Sequence, residues 1–356
     1  MKIAGLARRL GQPGGAEESM RTLFERLAGN HQAVMFGHAM SEPNWDGTEH
    51  RRVLASELNL PSIVQVPTAY LEFYVRFKRA LERFRPSIIF AQHELALLGA
   101  RQDTPQVLFL RDDSLLPSRA FEEDERAKRC ANRLVLDVQE RLFGSILHQS
   151  DVILANSHYT ANQYRAHWNI DPDVIYPFID VDQYRVDHTG DKILHVTPTV
   201  EKGIDVTLEV AKKMSDREFV VVGMDPRPSV RSRIDELPNV SFLGYVDDMT
   251  EVYRETGLVL MPSRWDEPFG RIPIEAGING IPVLCSGKGG LEEAVGDERL
   301  VVESNTPDAY VTRVRAVENH YDEYALAVRA NATQKTADTE IQKLVKTVEE
   351  RLDVQF

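Results

Sequence analysis

The sequence predicts an α/β protein made of two successive doubly wound units, and three observations carry that expectation. At 356 residues the chain is too long for one small core and suits two domains of ordinary size. Short apolar runs alternate with helical stretches along its length, the pattern of a parallel sheet with crossover helices. Around "DVIYPFIDVDQYRVDHTGDK" the alternation breaks at Pro177, several Asp and Gly190, before "ILHVTP" opens a second series.

In chain order, the first series of strand candidates is "KIAGLA", "AVMFGHA", "SIVQVP", "SIIFAQ", "QVLFLRD" and "DVILANS". The second is "KILHVTP", "EFVVVGM", "VSFLGYV", "GLVLMPS", "IPVLCSG" and "RLVVES". The expected division is residues 1–178, residues 179–338 and a terminal segment, 339–356. In that last segment Ile341, Leu344, Val345 and Val348 fall at helical spacing, so a helix packed on one lobe, and able to reach back to the first, is expected. Open parallel sheets bind ligands beyond the carboxyl ends of their strands. Two such units facing each other would form a cleft, and the chemistry is expected in the loops that point into it.

Composition narrows the function. A hydrophobic share of 42% with 27% charged residues supports a packed core. The net charge of -13 argues against nucleic acid as a partner, because neutralising phosphates needs a basic face. Cys130 and Cys285 are too few for a disulfide framework or a Cys-based zinc site and read as free core thiols of a reducing cytosol. No 18-residue apolar stretch or signal-peptide pattern stands in the sequence, so a cytoplasmic protein is expected, with "LARRL" available for peripheral contact at the inner face of a membrane.

Four stretches carry candidate chemistry. After the first strand, Gly11, Pro13, Gly14 and Gly15 precede a helix with Met20, Leu23, Phe24 and Leu27 on one face; glycines at a helix start let backbone N–H groups approach an anion. The spacing is not that of a dinucleotide fingerprint, and no ribose-binding acid follows the second strand. Lys202-Gly203 lies in a strand-to-helix loop, where a cation can meet a ligand phosphate. In "WDEPFGRIPIEAGINGIPVL", Glu267 and Glu275 stand eight positions apart around a short helix expected to begin near Phe269-Gly270. Amides at that helix start suit phosphate oxygens, and the flanking acids suit sugar and ribose hydroxyls. His93, at the end of "IIFAQ", reads equally as a site histidine or a capped structural one. The acid pairs in "RDDS" and "VDDM" read as solvated turns, and no metal site is expected.

Taken together, "PGGAE", "ANSHYTANQY", "EKG" at 201–203, "FLGYV", "EPFGRIPIEA", "GIPVL" and "GKGGLEEAVGD" resemble glycosyltransferase family 4, in order over nearly the whole chain. The resemblance implies the GT-B fold, two Rossmann-like domains, and a retaining transferase that moves a sugar from a nucleoside diphosphate sugar to an acceptor hydroxyl. It implies no cofactor beyond that donor. The first domain would bind the acceptor, whether a glycan, a lipid-linked saccharide or a small hydroxyl compound, and the second the donor. By matched position, Glu267 would bind donor sugar hydroxyls; Phe269, Gly270 and Arg271 would line the sugar and diphosphate; and Glu275 would hold the ribose. Lys202 would face the diphosphate, Gly14 and Gly15 would border it, and His93 would stand near the acceptor, with Lys202, Glu267 and His93 the catalytic candidates.

Two departures stand out. Thr197 occupies a position where the family commonly has Arg, so the second diphosphate cation would come from elsewhere, with Arg8, Arg9, Arg264 and Arg271 as candidates. Arg111-Asp112 stands where a second first-domain histidine is common. The expected chemistry is stabilisation of a departing diphosphate by Lys202 and backbone amides. On this reading Glu275→Ala mainly raises the donor KM. A sugar-nucleotide epimerase on the same fold and a non-catalytic sugar-nucleotide-binding protein are the rival functions.

Overall fold

The computed structural model describes residues 1–10, 14–39, 47–52, 75–92, 95–99, 103–116, 140–187 and 189–356. These divide into two compact units, Met1–Phe178 with Glu340–Phe356, and Ile179–Thr339. Gly11, Pro13, the "SIVQVP" segment, His93 and Cys130 lie outside the described residues.

Unit 1 holds a seven-stranded sheet formed by β1 (Lys2–Leu10), β2 (Gln32–Ala39), β3 (Glu49–Arg52), β4 (Ile88–Gln92), β5 (Gln106–Leu110), β6 (Val152–Ala155) and β7 (Asp173–Val174). The order is β3-β2-β1-β4-β5-β6-β7, and every pairing is parallel. The central strands read as unbroken apolar runs because both faces are covered; all five residues of β4 and of β5 are buried. The helix Gly15–Ala28 packs Met20, Leu23, Phe24 and Leu27 against the sheet, as its spacing predicted. Two strands were not legible: β3, whose "EHRR" has no apolar run, and β7, two residues inside the stretch read as a break.

The C-terminal helix, Ala337–Leu352, belongs to unit 1 from Glu340 onward and buries Leu344 and Val348 completely. It is tied there by Glu340, whose carboxylate accepts the Tyr176 amide at 2.8 Å, and by Arg351, which pairs with Asp173 at 3.0 Å. Phe356 adds an edge contact to Phe90, ring centroids 6.2 Å apart.

Unit 2 holds a five-stranded parallel sheet formed by β8 (Lys192–Val196), β9 (Phe219–Val222), β10 (Val240–Gly244), β11 (Thr256–Met261) and β12 (Val283–Cys285), in the order β10-β9-β8-β11-β12. Its core joins Leu194, Val259 and Leu284 of the sheet to helix residues such as Val210, Tyr253 and Val314. "RLVVES", expected as a sixth strand, instead folds as a 3-10 turn over Glu298–Leu300 followed by a single bridge from Val301 to Cys285. Asp297 decides this by accepting the Arg299 amide at 3.0 Å and capping the turn. Cys285 is fully buried, and burial pushes its thiol up to about 12.

Candidate functional site

The candidate residues of unit 2 come from two loops at the carboxyl ends of adjacent parallel strands, β8 and β11, and, for Glu275, from the helix that follows the second loop. The first runs from Thr197 to Gly203 and enters the helix Ile204–Lys213; the second runs from Pro262 to Arg271 and enters the helix Ile272–Gly277.

The two loops are locked where Gly203 meets Pro262. Gly203 has φ 78°, and a Cβ there would stand 2.0 Å from the Pro262 carbonyl oxygen, so this position excludes any side chain. Around that contact the Arg264 and Trp265 amides donate to the Glu201 carbonyl at 2.8 and 3.2 Å. Pinning the loops sets the distance between their side chains. As a result the Lys202 ammonium forms an ion pair with Glu267 Oε1, which also accepts from Ser263 Oγ at 3.3 Å. Glu267 is only 6% exposed. Its backbone is held from behind by a bridge to Gly289 and by the Gly290 amide, which donates to its carbonyl at 2.6 Å. A Cβ on Gly289 would meet that carbonyl oxygen at 2.2 Å, which accounts for the glycine.

His195, which the sequence reading did not single out, holds up the first loop. It is 1% exposed; Nε2 lies 3.3 Å from the Thr197 carbonyl and Nδ1 2.9 Å from Thr207 Oγ1. A carbonyl can only accept, so Nε2 carries the proton and the Thr207 hydroxyl donates to Nδ1. Burial, aided by the Lys202 charge and against the bond to Thr197, pushes the imidazole down to about 4, so it stays neutral. Thr197 itself has φ 67°, a strained setting for a β-branched residue, and its carbonyl is also used by the Thr199 amide at 2.8 Å. No charge stands where the family commonly has one. A histidine inside the apolar run "KILHV" has no pattern that marks it as a loop support.

Glu275 lies in a separate buried network. Arg271 Nε donates to Glu275 Oε1 at 3.0 Å, Tyr253 Oη donates to Oε2 at 3.0 Å, and a second Arg271 nitrogen reaches Tyr184 Oη at 3.2 Å. Glu275 is 5% exposed and Tyr253 is fully buried. Burial, then the neighbouring Glu275 charge, holds the Tyr253 hydroxyl well above its ordinary value. Against the lowering that burial imposes, Glu275 holds Arg271 above its own. Tyr253 and Tyr184 were not singled out from sequence, since a lone tyrosine carries no spacing signal.

The helix carrying Glu275 begins at Ile272, after Arg271, two residues later than expected, because Gly270 takes φ 94° and Pro273 sets the first turn. Phe269 is buried at 2% exposure and anchors the loop in the core. Of the cations offered to replace the missing one, Arg264 is paired with Asp205 and Arg271 with Glu275. The side chains of Arg8 and Arg9 lie outside the described residues.

In unit 1, Gly14 and Gly15 stand at the start of the first helix. Gly14 is extended at φ 177°, open to any residue, and an added Cβ would meet only the flexible Glu17 side chain. Arg111, after β5, is 5% exposed; Nη1 donates to Ser19 Oγ at 3.1 Å, and the guanidinium lies 4.6 Å over the Phe109 ring. Asp112 and Asp248 each accept an amide two residues on, at 2.8 and 2.9 Å, so both act as turn caps. Among the described residues no group of three or more His, Cys, Asp or Glu is placed to hold a metal, and no helix is long and apolar enough to cross a membrane.

Comparison with known proteins adds to this geometry. The family model described as Glycosyltransferase Family 4 matches residues 13–183, and that described as Glycosyl transferases group 1 matches residues 190–320. The chain is 29% identical over 211 residues to D-inositol 3-phosphate glycosyltransferase of Rhodococcus jostii (strain RHA1), covering 48% of this chain and 46% of the relative. It is 34% identical over 113 residues to a 41.2 kDa protein of the cps region of Klebsiella pneumoniae, covering 31% of each. The chain thus spans about a third to a half of the length of these curated relatives. HepE of Anabaena, in complex with UDP and glucose, superimposes with a TM-score of 0.77 at 18% identity over 98% of this chain and 99% of that one. Sucrose-phosphate synthase from Thermosynechococcus elongatus does so with 0.75 at 16% identity over 99% of both. At such identities these likenesses establish the fold, which is GT-B.

Proposed function

The chain belongs to glycosyltransferase family 4, and from that premise we propose that it transfers a sugar from a nucleoside diphosphate sugar to an acceptor hydroxyl, with retention of anomeric configuration. Unit 2 takes the donor and unit 1 the acceptor. The observation that carries this reading is the Lys202–Glu267 pair, set at the carboxyl ends of β8 and β11 by the Gly203–Pro262 contact. HepE, which shares the fold, holds UDP and glucose, and this favours a nucleotide-sugar donor.

The pair explains how a site with few spare cations receives an anion. Without ligand, the ammonium and carboxylate neutralise each other. An arriving diphosphate draws Lys202 to its oxygens and frees Glu267 to accept hydrogen bonds from the donor sugar. Phe269 and Gly270 belong to the loop that carries Glu267, while Glu275 keeps both oxygens in its buried network with Arg271 and Tyr253. As the bond from the anomeric carbon to the diphosphate oxygen breaks, its electron pair moves to the diphosphate, where Lys202 stabilises the growing charge. The acceptor oxygen then bonds to the same face of the oxocarbenium-like sugar, and its proton passes to the leaving phosphate oxygen.

Two measurements test this. Screening UDP, GDP and ADP sugars by thermal shift should raise the melting point with one nucleotide class, since a ligand of the native state stabilises it. Lys202→Ala should lower turnover about 10²- to 10³-fold, the usual cost of losing one such donor. Full activity in that variant, or conversion of the donor to an epimer without any acceptor, would refute the proposal.

A further inference from the structure

One imidazole ties both ends of the loop that carries Lys202. At the entry, His195 Nε2 donates to the Thr197 carbonyl at 3.3 Å; at the exit, Thr207 Oγ1 donates to Nδ1 at 2.9 Å, one turn into the helix Ile204–Lys213. The Thr207 amide donates in turn to the Gly203 carbonyl at 3.2 Å, which fixes the ring to the residue that follows Lys202. With His195 1% exposed, water does not compete for either bond.

Between these anchors, hydrogen bonds run without a break to Lys202. The Thr199 amide donates at 2.8 Å to the same Thr197 carbonyl that takes the imidazole N–H, and the Lys202 amide donates to Thr199 Oγ1 at 3.3 Å. The Ile204 amide closes the loop on the Thr199 carbonyl at 3.1 Å. The entry anchor is also the point of backbone strain. Among the described non-glycine residues with positive φ, Thr197 is the only β-branched one, and such a setting persists only where the surroundings impose it. Here the Val222 carbonyl holds the Thr197 amide at 2.7 Å and His195 holds its carbonyl.

We propose that His195 is a positioning residue for sugar transfer: by tethering Thr197 and Thr207 it orients the loop that presents Lys202 to the leaving diphosphate. This rests on the donor reading of unit 2. The Gly203–Pro262 contact sets where the loop lies, whereas His195 sets which way its peptide planes face. Without the tether, Thr197 relaxes toward negative φ and turns the hydrogen-bonded chain, leaving Lys202 present but misdirected. The buried imidazole stays neutral, so it does this without repelling the Lys202 ammonium.

Two replacements separate the anchors. His195→Asn keeps an acceptor near the Nδ1 position and loses the donor to Thr197, while His195→Gln reaches further and keeps an N–H for that carbonyl. Each is made alone and on Lys202→Ala, and assayed below every variant's unfolding midpoint. The assay is release of nucleoside diphosphate from whichever of UDP-glucose, GDP-mannose and ADP-glucose raises the wild-type melting point. His195→Asn should lower kcat about ten- to hundredfold, the cost of a misplaced group, with the donor KM changed less than about threefold. His195→Gln should stay within about threefold of wild type, and His195→Asn should add less than about threefold to the loss in Lys202→Ala, because misplacing a group already deleted costs little. Wild-type kcat in His195→Asn, equal losses in the two replacements, or a loss of the same size with and without Lys202 overturns the proposal, the last marking a general defect of the fold. If His195→Asn does not fold, Thr207→Val removes the exit anchor alone and should lower kcat about three- to tenfold, again only when Lys202 is present; an unchanged kcat overturns the proposal. Full activity in Lys202→Ala defeats the donor-site reading and this proposal with it, whereas a loss there with none in His195→Asn defeats this proposal alone.

Discussion

Replacing Glu275 by Ala separates two accounts of that residue. The sequence suggests a ligand-binding acid whose loss mainly raises the donor KM, whereas the structure places it in a buried network with Arg271 and Tyr253. The Arg271 side chain is 12% exposed and the Glu275 side chain 7%, so neither charge is well solvated. Breaking such a pair from one side costs roughly 3–5 kcal/mol, because the remaining charge stays buried. Tyr253 Oη also loses its acceptor, worth about 1–3 kcal/mol in isolation, but the two terms share a partner and do not add. About 4 kcal/mol is therefore expected for Glu275→Ala in the absence of ligand. At roughly 2–4 °C per kcal/mol for a unit of this size, the melting point falls by about 8–16 °C. Glu275→Gln keeps one carbonyl acceptor and should cost about half as much. Urea unfolding followed by far-ultraviolet circular dichroism, with Arg271→Met and the Arg271→Met/Glu275→Ala double variant completing a cycle, reads these values. A loss under about 1 kcal/mol in Glu275→Ala, with no coupling to Arg271, would refute the network account and restore the simpler one.

Two further outcomes follow from the loop supports. His195 has a folded value of about 4 against an ordinary 6.5, so between those limits the unfolded chain binds a proton that the folded chain does not. Stability from this group is whole above pH 6.5 and falls as pH drops toward 4, by roughly 3 kcal/mol in all; His195→Gln should flatten that limb of the denaturation curve, and an unchanged slope would count against it. Gly203→Ala must move the Pro262 carbonyl as well as accept left-handed strain, so it should cost more than the roughly 1–2 kcal/mol of that strain alone and lower turnover by displacing Lys202. A urea midpoint equal to that of the parent would show that the two loops are not locked there.

Much of the architecture was legible because buried parallel strands need continuous apolar runs bounded by turn residues. "SIIFAQ", "KILHVTP" and "GLVLMPS" each became a strand for that reason. "EHRR" was invisible because an edge strand can be polar, and "RLVVES" misled because the Asp297 cap favours a turn over a sixth ladder. In the candidate site, Lys202 and Glu267 were legible from the types and spacing of their neighbours, yet nothing in the sequence pairs residues 202 and 267 with each other.

The sequence by itself determined the class of fold, the two series of strands and the residues with chemistry to offer, because burial pattern and turn chemistry are local properties written every few positions. Only the tertiary structure decided that the Lys202 ammonium pairs with Glu267, that Tyr253 and Tyr184 close the network around Arg271 and Glu275, and that Thr207 caps His195. These contacts depend on distances set by strand order and by close backbone approaches such as that at Gly203, and a linear spacing does not contain them.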